Sequence, residues 1–309
     1  MHSRTRIKLA GLLFLSPVCP VFMSAIAQTQ APRRTVVHAG STSLAVMISG
    51  QGEPILFVPS RGRSVNDFDD LSKRLEGAGY QVILPEPRGI GGSTGPLDGI
   101  SYHDLASDLA ATIESVVGRP ATVIGHDFGG RIARTLASDH PRLVKQIVLI
   151  GAAGKVRRSP EMEALTTRFW ETALPTQDRL IVLRQTFFAP GNDAGVWQDG
   201  WHFEVARAQR ASDSRTPLDE WWAGGTAPML VIYGGRDPLI PRDWTERAID
   251  RACQMGDVIQ TEFQPDKGGA DIDVSNAFTW MGDRLKGTAA LNDCGSIVTA
   301  NDPSGDGGR

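Results

Sequence analysis

The chain of 309 residues lacks the features that mark several large classes of function. Its formal net charge is only −3, which is too small to indicate a nucleic-acid partner. No glycine-rich phosphate loop, cluster of metal ligands or basic patch stands out. We therefore expect no nucleic acid, no cofactor and no metal ion. Hydrophobic residues make up 41% of the chain, which is ordinary for a globular protein with one sizeable core.

The N-terminal apolar run is too short for a membrane span. It covers residues 9–23, is interrupted by two prolines and falls short of the ~20 apolar residues that a spanning helix needs. Three basic residues precede it, and Ala25-Ile26-Ala27 forms an A-x-A cleavage site before Gln28. This pattern predicts a signal peptide over residues 1–27, and a periplasmic or secreted protein without a stable membrane anchor. An uncleaved anchor is the alternative.

Cysteine is scarce, and only Cys253 and Cys294 follow the predicted signal peptide. In an oxidising compartment these two residues have one possible intramolecular pairing. Two unpaired thiols are the alternative, because the distance between the residues cannot be read from the sequence.

Short β-rich runs alternate with helical patterns from residue 35 onward, which is typical of the α/β class. The first two runs should form an antiparallel hairpin, whereas strands joined through helices should be parallel. We predict an eight-stranded, mostly parallel sheet with helices on both faces. The predicted strands are 35–38, 43–48, 55–59, 81–84, 121–124, 146–150, 229–233 and 258–263. The predicted helices are 66–78, 102–117, 131–140, 243–253 and 274–285.

One stretch, residues 155–226, interrupts this alternation. It is helix-like and contains five of the seven tryptophans. An insertion at this point would cover the carboxyl ends of the strands, where open α/β sheets bind ligands. Trp170 and His202 are therefore candidates for the pocket wall. The predicted organisation is a core over 28–154 and 227–286, a helical lid over 155–226 and a flexible tail over 287–309.

The segment Gly125-His126-Asp127-Phe128-Gly129 follows an apolar run and precedes an amphipathic one. This order predicts a strand, a very sharp turn and a helix. In such an elbow the central residue has a strained backbone. Gly125 and Gly129 are needed because a Cβ there would collide with the neighbouring strand and helix. We expect the side chain of Asp127 to be presented to a ligand.

The elbow, the order of elements and the insertion together resemble the α/β-hydrolase fold superfamily over residues 35–285. The elbow is most similar to the branch with an aspartate nucleophile, the epoxide hydrolases and haloalkane dehalogenases. The resemblance implies that Asp127 attacks a carbon bearing a leaving group, forming an ester that water then cleaves. It also implies that Asp237, in Gly235-Arg236-Asp237-Pro238, is the acid that orients a water-activating histidine. A turn or helix N-cap role for Asp237 is the alternative.

The histidine that this resemblance requires is missing. No histidine follows His202, and Gly269 occupies the position at which the family has its histidine. His126 is similar to the family's support residue beside the nucleophile. The remaining histidines, His38, His103 and His140, are expected to be structural. Three aspartates near the loop are candidates to replace the histidine: Asp266, Asp271 and Asp273.

The loop after the third strand reads Pro59-Ser60-Arg61-Gly62-Arg63. The resemblance implies that the backbone N–H groups of Arg61 and Phe128 form an oxyanion hole. The side chains of Arg61 and Arg63 are either exposed loop residues or contacts for an acidic substrate.

Neither substrate class of the aspartate branch is favoured by the sequence. Epoxide hydrolases of this fold use lid tyrosines, whereas the predicted lid has none. Haloalkane dehalogenases commonly have tryptophan where this chain has Phe128. The first hypothesis is an exported hydrolase acting through Asp127 on a small, mostly apolar ester, epoxide or halide. The alternatives are a small-molecule binding module without efficient turnover and a non-hydrolytic acid/base enzyme on this fold.

Overall fold

A single sheet of eight strands forms the centre of the protein. The computed structural model describes residues 31–152 and 158–296, so the predicted signal peptide and the last part of the predicted tail lie outside the described residues. The strands are β1 (Arg33–Ala39), β2 (Thr42–Gly50), β3 (Pro54–Val58), β4 (Gln81–Pro85), β5 (Ala121–His126), β6 (Val144–Ile150), β7 (Met229–Gly234) and β8 (Ile259–Gln264).

The strands follow the order β1-β2-β4-β3-β5-β6-β7-β8 across the sheet. Strand β2 is antiparallel to both β1 and β4, and every other neighbouring pair is parallel. The predicted hairpin and the predicted mostly parallel sheet are confirmed. Because the helix-linked strands run the same way, their carboxyl ends share one edge of the sheet, and loops that follow them meet there.

Helices cover both faces of the sheet. Alternate residues of β3 enter opposite cores: Leu56 and Val58 pack in one, Ile55 and Phe57 in the other. Both faces of this central strand are buried, which explains its uninterrupted apolar sequence. The helices outside the insertion are α1 (Asp69–Gly77), α2 (Tyr102–Val116), α3 (Phe128–Asp139), α8 (Arg242–Gln254) and α9 (Ser275–Leu285).

Helix α3 begins at Phe128, three residues before the predicted start. The prediction followed apolar periodicity, which Gly129 and Gly130 conceal because they carry no side chain. Since Asp127 precedes the first helical residue, the turn between β5 and α3 consists of one residue.

The described residues between β6 and β7 form an insertion that is mostly helical. Its helices are α4 (Pro160–Phe169), α5 (Thr176–Phe187), α6 (Phe203–Ser212) and α7 (Leu218–Trp221), and a 3₁₀ turn covers Ala194–Trp197. Phe169, Val182 and Leu183 are its buried centre, against which Trp170, Trp197 and Trp201 pack. Trp221 and Trp222 instead join the core of the sheet. No helix in the described ranges is long and apolar enough to cross a membrane.

Cys253 of α8 and Cys294 form a disulfide bond in the structure. The segment around Cys294 is also hydrogen-bonded to the edge strand β8. The carboxylate of Asp293 accepts from the backbone N–H of Thr261 at 2.7 Å and from its hydroxyl at 2.9 Å. The predicted tail therefore follows the edge of the sheet as far as residue 296, where the described residues end.

Candidate active site

Asp127 lies at the tip of the elbow between β5 and α3. Its φ of 46° makes it the one non-glycine residue with positive φ in the described part of the chain. Its backbone N–H donates to the carbonyl of Ile150 at 3.0 Å, and its own carbonyl accepts from Gly130 at 3.0 Å. A conformation this unfavourable for a residue with a Cβ persists only where the surroundings impose it, and such residues cluster at functional sites.

The glycines that flank Asp127 are required by close backbone contacts. A Cβ added at Gly125 would lie 2.6 Å from the carbonyl oxygen of Gly129. A Cβ at Gly129 would overlap the carbonyl oxygen of Val58, and one at Gly130 would overlap the Cβ of Ala152. Strand β5, helix α3 and the end of β3 therefore approach each other more closely than any side chain permits, as predicted for Gly125 and Gly129.

The first of two cavities at Asp127 lies between the strand ends and the insertion. Ser60 lines it and donates its hydroxyl to Asp127 Oδ2 at 2.7 Å, which orients the carboxylate. Its remaining walls are aromatic, apolar and cationic: Arg61, Phe128, Arg131, Arg158, Thr166, Trp170, Phe187, Trp201 and Leu239. Trp170 is thus part of the pocket wall, as predicted.

The second cavity is lined by both Asp127 and Asp237. It is lined by Ser60, His126, Asp127, Gly151, Phe187, Trp197, Asp237, Leu239, Ile240, Gly269 and Ala270. Asp127 and Ser60 line both cavities. The carboxylate at the elbow is therefore reached from two sides, one rich in arginine and one containing a second acid.

Asp237 lies on the loop after β7, and its two carboxylate oxygens have different contacts. Oδ1 accepts the backbone N–H groups of Leu239 and Ile240, each at 2.9 Å. Oδ2 accepts no hydrogen bond within residues 31–152 and 158–296 and lies against Gly269. Burial raises the pKa of Asp237 to about 7, with a smaller contribution from the negative charges of Asp127 and Asp271 and against the opposing effect of the two N–H donors.

Gly269 does lie beside Asp237, where the resemblance requires the water-activating histidine. A Cβ at Gly269 would overlap Asp237 Oδ2, so no side chain fits there without movement of the loop or of Asp237. The carbonyl of Gly269 is within hydrogen-bond distance of His126 Nε2, at 3.2 Å. The loop at Gly269 therefore packs directly against the carboxylate of Asp237.

The three aspartates expected to replace the histidine do not line the cavities at Asp127. Asp266 forms an ion pair with Arg236 at 3.0 Å and is mostly exposed. Asp271 accepts the N–H of Gly268 at 2.7 Å, which closes the loop on itself. Asp273 accepts the backbone N–H and the hydroxyl of Ser275, the first residue of α9. All three shape or flank the loop, and Asp237 is the acid of this region that reaches the site.

His202 also lies outside both cavities, in contrast to its predicted place in the pocket wall. Its backbone N–H donates to the carbonyl of Gly62 at 2.9 Å, which ties the start of α6 to the loop after β3. The neighbouring Trp201 lines the first cavity instead. Tertiary contacts decide which side chain at the start of a helix faces a cavity. The sequence alone therefore cannot distinguish His202 from its neighbour Trp201 as the residue of the pocket wall.

Backbone donors at the elbow are consistent with the expected oxyanion hole. Arg61 and Phe128 both line the first cavity. Within the described residues, neither backbone N–H donates to a protein acceptor. Two N–H groups without a protein acceptor, beside the carboxylate at the elbow, can stabilise a negatively charged oxygen.

Arg63, the second arginine of the loop after β3, lines neither cavity. It is 4% exposed and forms an ion pair with Asp67 at 2.5 Å, and it also donates to the carbonyl of Asp199 at 2.6 Å. Its guanidinium lies over the ring of Trp201 at 4.6 Å. Arg63 is therefore neither an exposed loop residue nor a substrate contact, but holds the insertion against the core.

Sequence reasoning missed the role of Ser60 and of the arginines that come from distant segments. Ser60 lies two residues after the end of β3, at the sheet edge that also carries Asp127, and this position in the sequence is the signal that could have found it. Arg131 falls in the predicted helix 131–140, whose pattern gives no sign of a site residue, and Arg158 precedes α4 of the insertion. In the described ranges, no group of three or more His, Cys, Asp and Glu residues is placed to hold a metal ion.

Known proteins with similar sequences include several enzymes. "Putative non-heme bromoperoxidase BpoC" of Mycobacterium tuberculosis is 32% identical over 241 residues, which are 73% of this chain and 90% of the relative. Epoxide hydrolase A of that species is 28% identical over 149 residues, 47% of this chain and 44% of the relative. The esterase EaEST from Exiguobacterium antarcticum superposes with a TM-score of 0.64 at 21% identity, covering 82% of this chain and 98% of that one, and shows the shared fold alone.

The alpha/beta hydrolase fold family matches residues 53–269. This range begins before β3 and ends at Gly269, so it contains the elbow, the insertion and both acids of the site. The match agrees with the sheet order and with the one-residue turn at Asp127. The chain therefore belongs to the alpha/beta hydrolase fold family.

Proposed function

We propose that the protein hydrolyses a small molecule by covalent catalysis, with Asp127 as nucleophile and Asp237 as the base that activates water. One observation carries this proposal: the carboxylates of Asp127 and Asp237 line one cavity, and Asp237 Oδ2 accepts no hydrogen bond from the described residues. Relatives named as an epoxide hydrolase and a haloperoxidase, and the fold shared with an esterase, support chemistry at a small-molecule carbon.

The first step needs no base. A carboxylate oxygen of Asp127 forms a bond to a substrate carbon, and the bond from that carbon to its leaving group breaks, with the electron pair departing on the leaving group. The hydrogen bond from Ser60 to Oδ2 leaves Oδ1 of Asp127 as the attacking atom. The product of this step is an ester of Asp127.

The second step cleaves that ester. A water oxygen bonds to the carboxyl carbon of Asp127, and its proton passes to Asp237 Oδ2. The tetrahedral oxyanion is stabilised by the N–H groups of Arg61 and Phe128. It then collapses, and the alcohol leaves with the proton that Asp237 had taken. The remaining proton on the Asp127 carboxyl passes to solvent, so both carboxylates are restored. A base with a pKa of about 7 is matched to proton transfer near neutral pH, and burial gives Asp237 that value.

Small-molecule binding without turnover is the second candidate. The observation that favours it is the contact of Gly269 with Asp237, which leaves no room for the imidazole on which the resemblance relies. A general base contributes about 10² to 10⁴ in rate, so its loss without a substitute would leave a stable ester or no reaction. The two candidates differ in whether Asp237 replaces the imidazole.

Labelling of Asp127 tests the proposal. The protein is mixed with styrene oxide and, separately, with 1-bromobutane, and adducts are located by intact mass and peptide mapping. We expect an ester at Asp127 that decays with turnover. In ¹⁸O-water a single turnover should place the heavy oxygen in the Asp127 carboxylate and not in the alcohol, because water attacks the carboxyl carbon.

Two variants and one control separate the steps. Asp127→Asn should form no adduct. Asp237→Asn should form the adduct at a similar rate but retain it about 10² to 10⁴ times longer. Asp266→Asn, a control at an exposed acid of the same region, should behave as the wild type. If no electrophile labels Asp127 while apolar ligands still bind, the binding-module candidate replaces this one.

We also propose that the protein is exported and that the insertion acts as a lid. The disulfide between Cys253 and Cys294 supports export, since such bonds persist mainly in oxidising compartments. Trp170, Phe187 and Trp201 of the insertion wall the first cavity opposite the elbow, which supports the lid.

A further inference from the structure

We infer that the substrate carries an anionic group, a carboxylate, which the guanidinium groups of Arg61, Arg131 and Arg158 bind in the first cavity. This inference rests on the proposed function and names the substrate class of the same site. The three arginines come from the loop after β3, from α3 and from the segment before α4, and they line the cavity together with Asp127. Asp127 is the one acidic residue among the residues that line it.

The first two arginines share one counter-ion outside the cavity lining. Nη2 of Arg61 donates to both oxygens of Asp213, at 2.8 and 3.0 Å, and Nη1 of Arg131 lies 3.5 Å from the same carboxylate. Tyr102 also donates its hydroxyl to Asp213 at 2.7 Å. A single carboxylate therefore balances two guanidinium groups, and one positive charge remains.

The third arginine shares its counter-ion in the same way. Glu163 accepts from Nη1 of Arg158 at 3.3 Å and from Nη2 of Arg210 at 2.9 Å. Four arginines thus compete for the two carboxylates of Asp213 and Glu163. Even when the charge of Asp127 is included, this side of the site has an excess of positive charge that an anionic ligand would neutralise.

Buried hydrogen-bond donors without an acceptor also favour an anionic ligand. The Nε–H groups of Arg61 and Arg158 are buried and have no acceptor within the described residues. A buried donor on a charged group costs free energy unless it is satisfied, and an arginine stays protonated in proteins. Burial lowers the pKa of Arg61, and the charge of Asp213 opposes this effect. A ligand carboxylate accepts from several such donors at once.

The rest of the cavity wall is apolar and would contact the part of the substrate away from the carboxylate. Phe128, Trp170, Phe187 and Trp201 supply aromatic surfaces, and Leu239 adds an aliphatic one. The guanidinium of Arg61 lies over the ring of Phe128 at 4.9 Å, so cationic and apolar surfaces adjoin. A molecule with an apolar body and one carboxylate fits this distribution. The arginines would also offset the repulsion between that carboxylate and Asp127.

Matched probes test the inference: 3-phenylpropionate and its neutral amide, 3-phenylpropionamide. Their affinities are measured by titration calorimetry and by quenching of tryptophan fluorescence, with the wild type and with Asp127→Asn. The Asp127→Asn protein cannot form an ester, so the result does not depend on catalysis. We expect the carboxylate to bind at least about tenfold more tightly than the amide. Arg131→Gln and Arg158→Gln should each reduce that preference several-fold.

Arg168→Gln is the matched control, because Arg168 is exposed on α4, forms one ion pair with Asp178 at 3.7 Å and does not line the cavity. It should keep the preference of the wild type. Circular dichroism and thermal unfolding identify any variant that is not folded, and Arg158→Gln serves where Arg131→Gln fails. Equal affinities for the two probes, or no binding of the carboxylate, overturn the inference. In that case the arginines serve only in their ion pairs with Asp213 and Glu163.

The failure of the proposed function is a separate result. Labelling of Asp127 by neutral 1-bromobutane does not require an anionic group on the ligand. Absence of that label together with carboxylate-selective binding would leave the arginine site intact and refute the nucleophile. A label at Asp127 together with equal binding of the two probes would do the reverse.

Discussion

Replacing Asp237 by asparagine should make the protein more stable at alkaline pH. The asparagine side chain keeps an oxygen that can accept from the N–H groups of Leu239 and Ile240, which bond Oδ1 at 2.9 Å. It removes the ability to ionise and puts an amide NH2 group in the place of Oδ2. Burial raises the pKa of Asp237 from 3.8 to about 7 in the folded protein, so ionisation of this carboxyl opposes folding.

The sign and size of the effect follow from proton linkage. Below about pH 3.8 the carboxyl is protonated in both states and contributes nothing. As the pH rises from there towards 7, the unfolded chain loses the proton while the folded protein keeps it, and stability falls. Above pH 7 the full cost is reached, at most about 4 kcal/mol. The difference in free energy of unfolding between Asp237→Asn and the wild type should therefore grow by about 2 to 3 kcal/mol, in favour of the variant, from pH 5 to pH 8.

Urea unfolding at pH 5 and at pH 8, with the disulfide intact, measures this difference. Asp266→Asn is the control, because its exposed ion pair should change stability by less than about 1 kcal/mol at either pH. Asp127→Asn provides a second comparison. It removes a charge that raises the pKa of Asp237, so it should weaken the pH dependence. An equal stability difference between Asp237→Asn and the wild type at both pH values would refute the assignment of a raised pKa.

Two further predictions concern the elbow and the processing of the chain. Gly129→Ala should destabilise the protein by several kcal/mol, roughly 3 or more, because its Cβ would overlap the carbonyl oxygen of Val58. Gly77→Ala at the end of α1, where a Cβ meets nothing within 4 Å, should be close to neutral in the same urea titration. Protein isolated from its host should begin near Gln28 by intact mass and show no free thiol on alkylation without reductant. A full-length mass or a labelled cysteine would contradict export.

Much of the fold could be predicted because its signals are local. The alternation of β-rich and helical runs predicted all eight strands, and the short loop at residues 40–41 predicted the hairpin. Asp127 could also be placed from sequence, since a one-residue turn between a strand and a helix demands glycines at fixed spacing. The start of α3 was predicted late because glycines leave no apolar pattern to read.

The site depended on contacts between residues far apart in the chain. The sequence located Asp237 and Gly269, but only the tertiary structure brings them into contact, leaving an acid with an unshared oxygen where an imidazole was expected. The spacing of residues in the sequence likewise gives no sign of Arg158. This residue lines the same cavity as Asp127 only because of the way the insertion folds. Sequence by itself therefore determined the elements and the elbow, which arise from neighbouring residues. Tertiary packing decided which distant charges share the space around Asp127, because burial and electrostatics depend on distances that the order of residues does not contain.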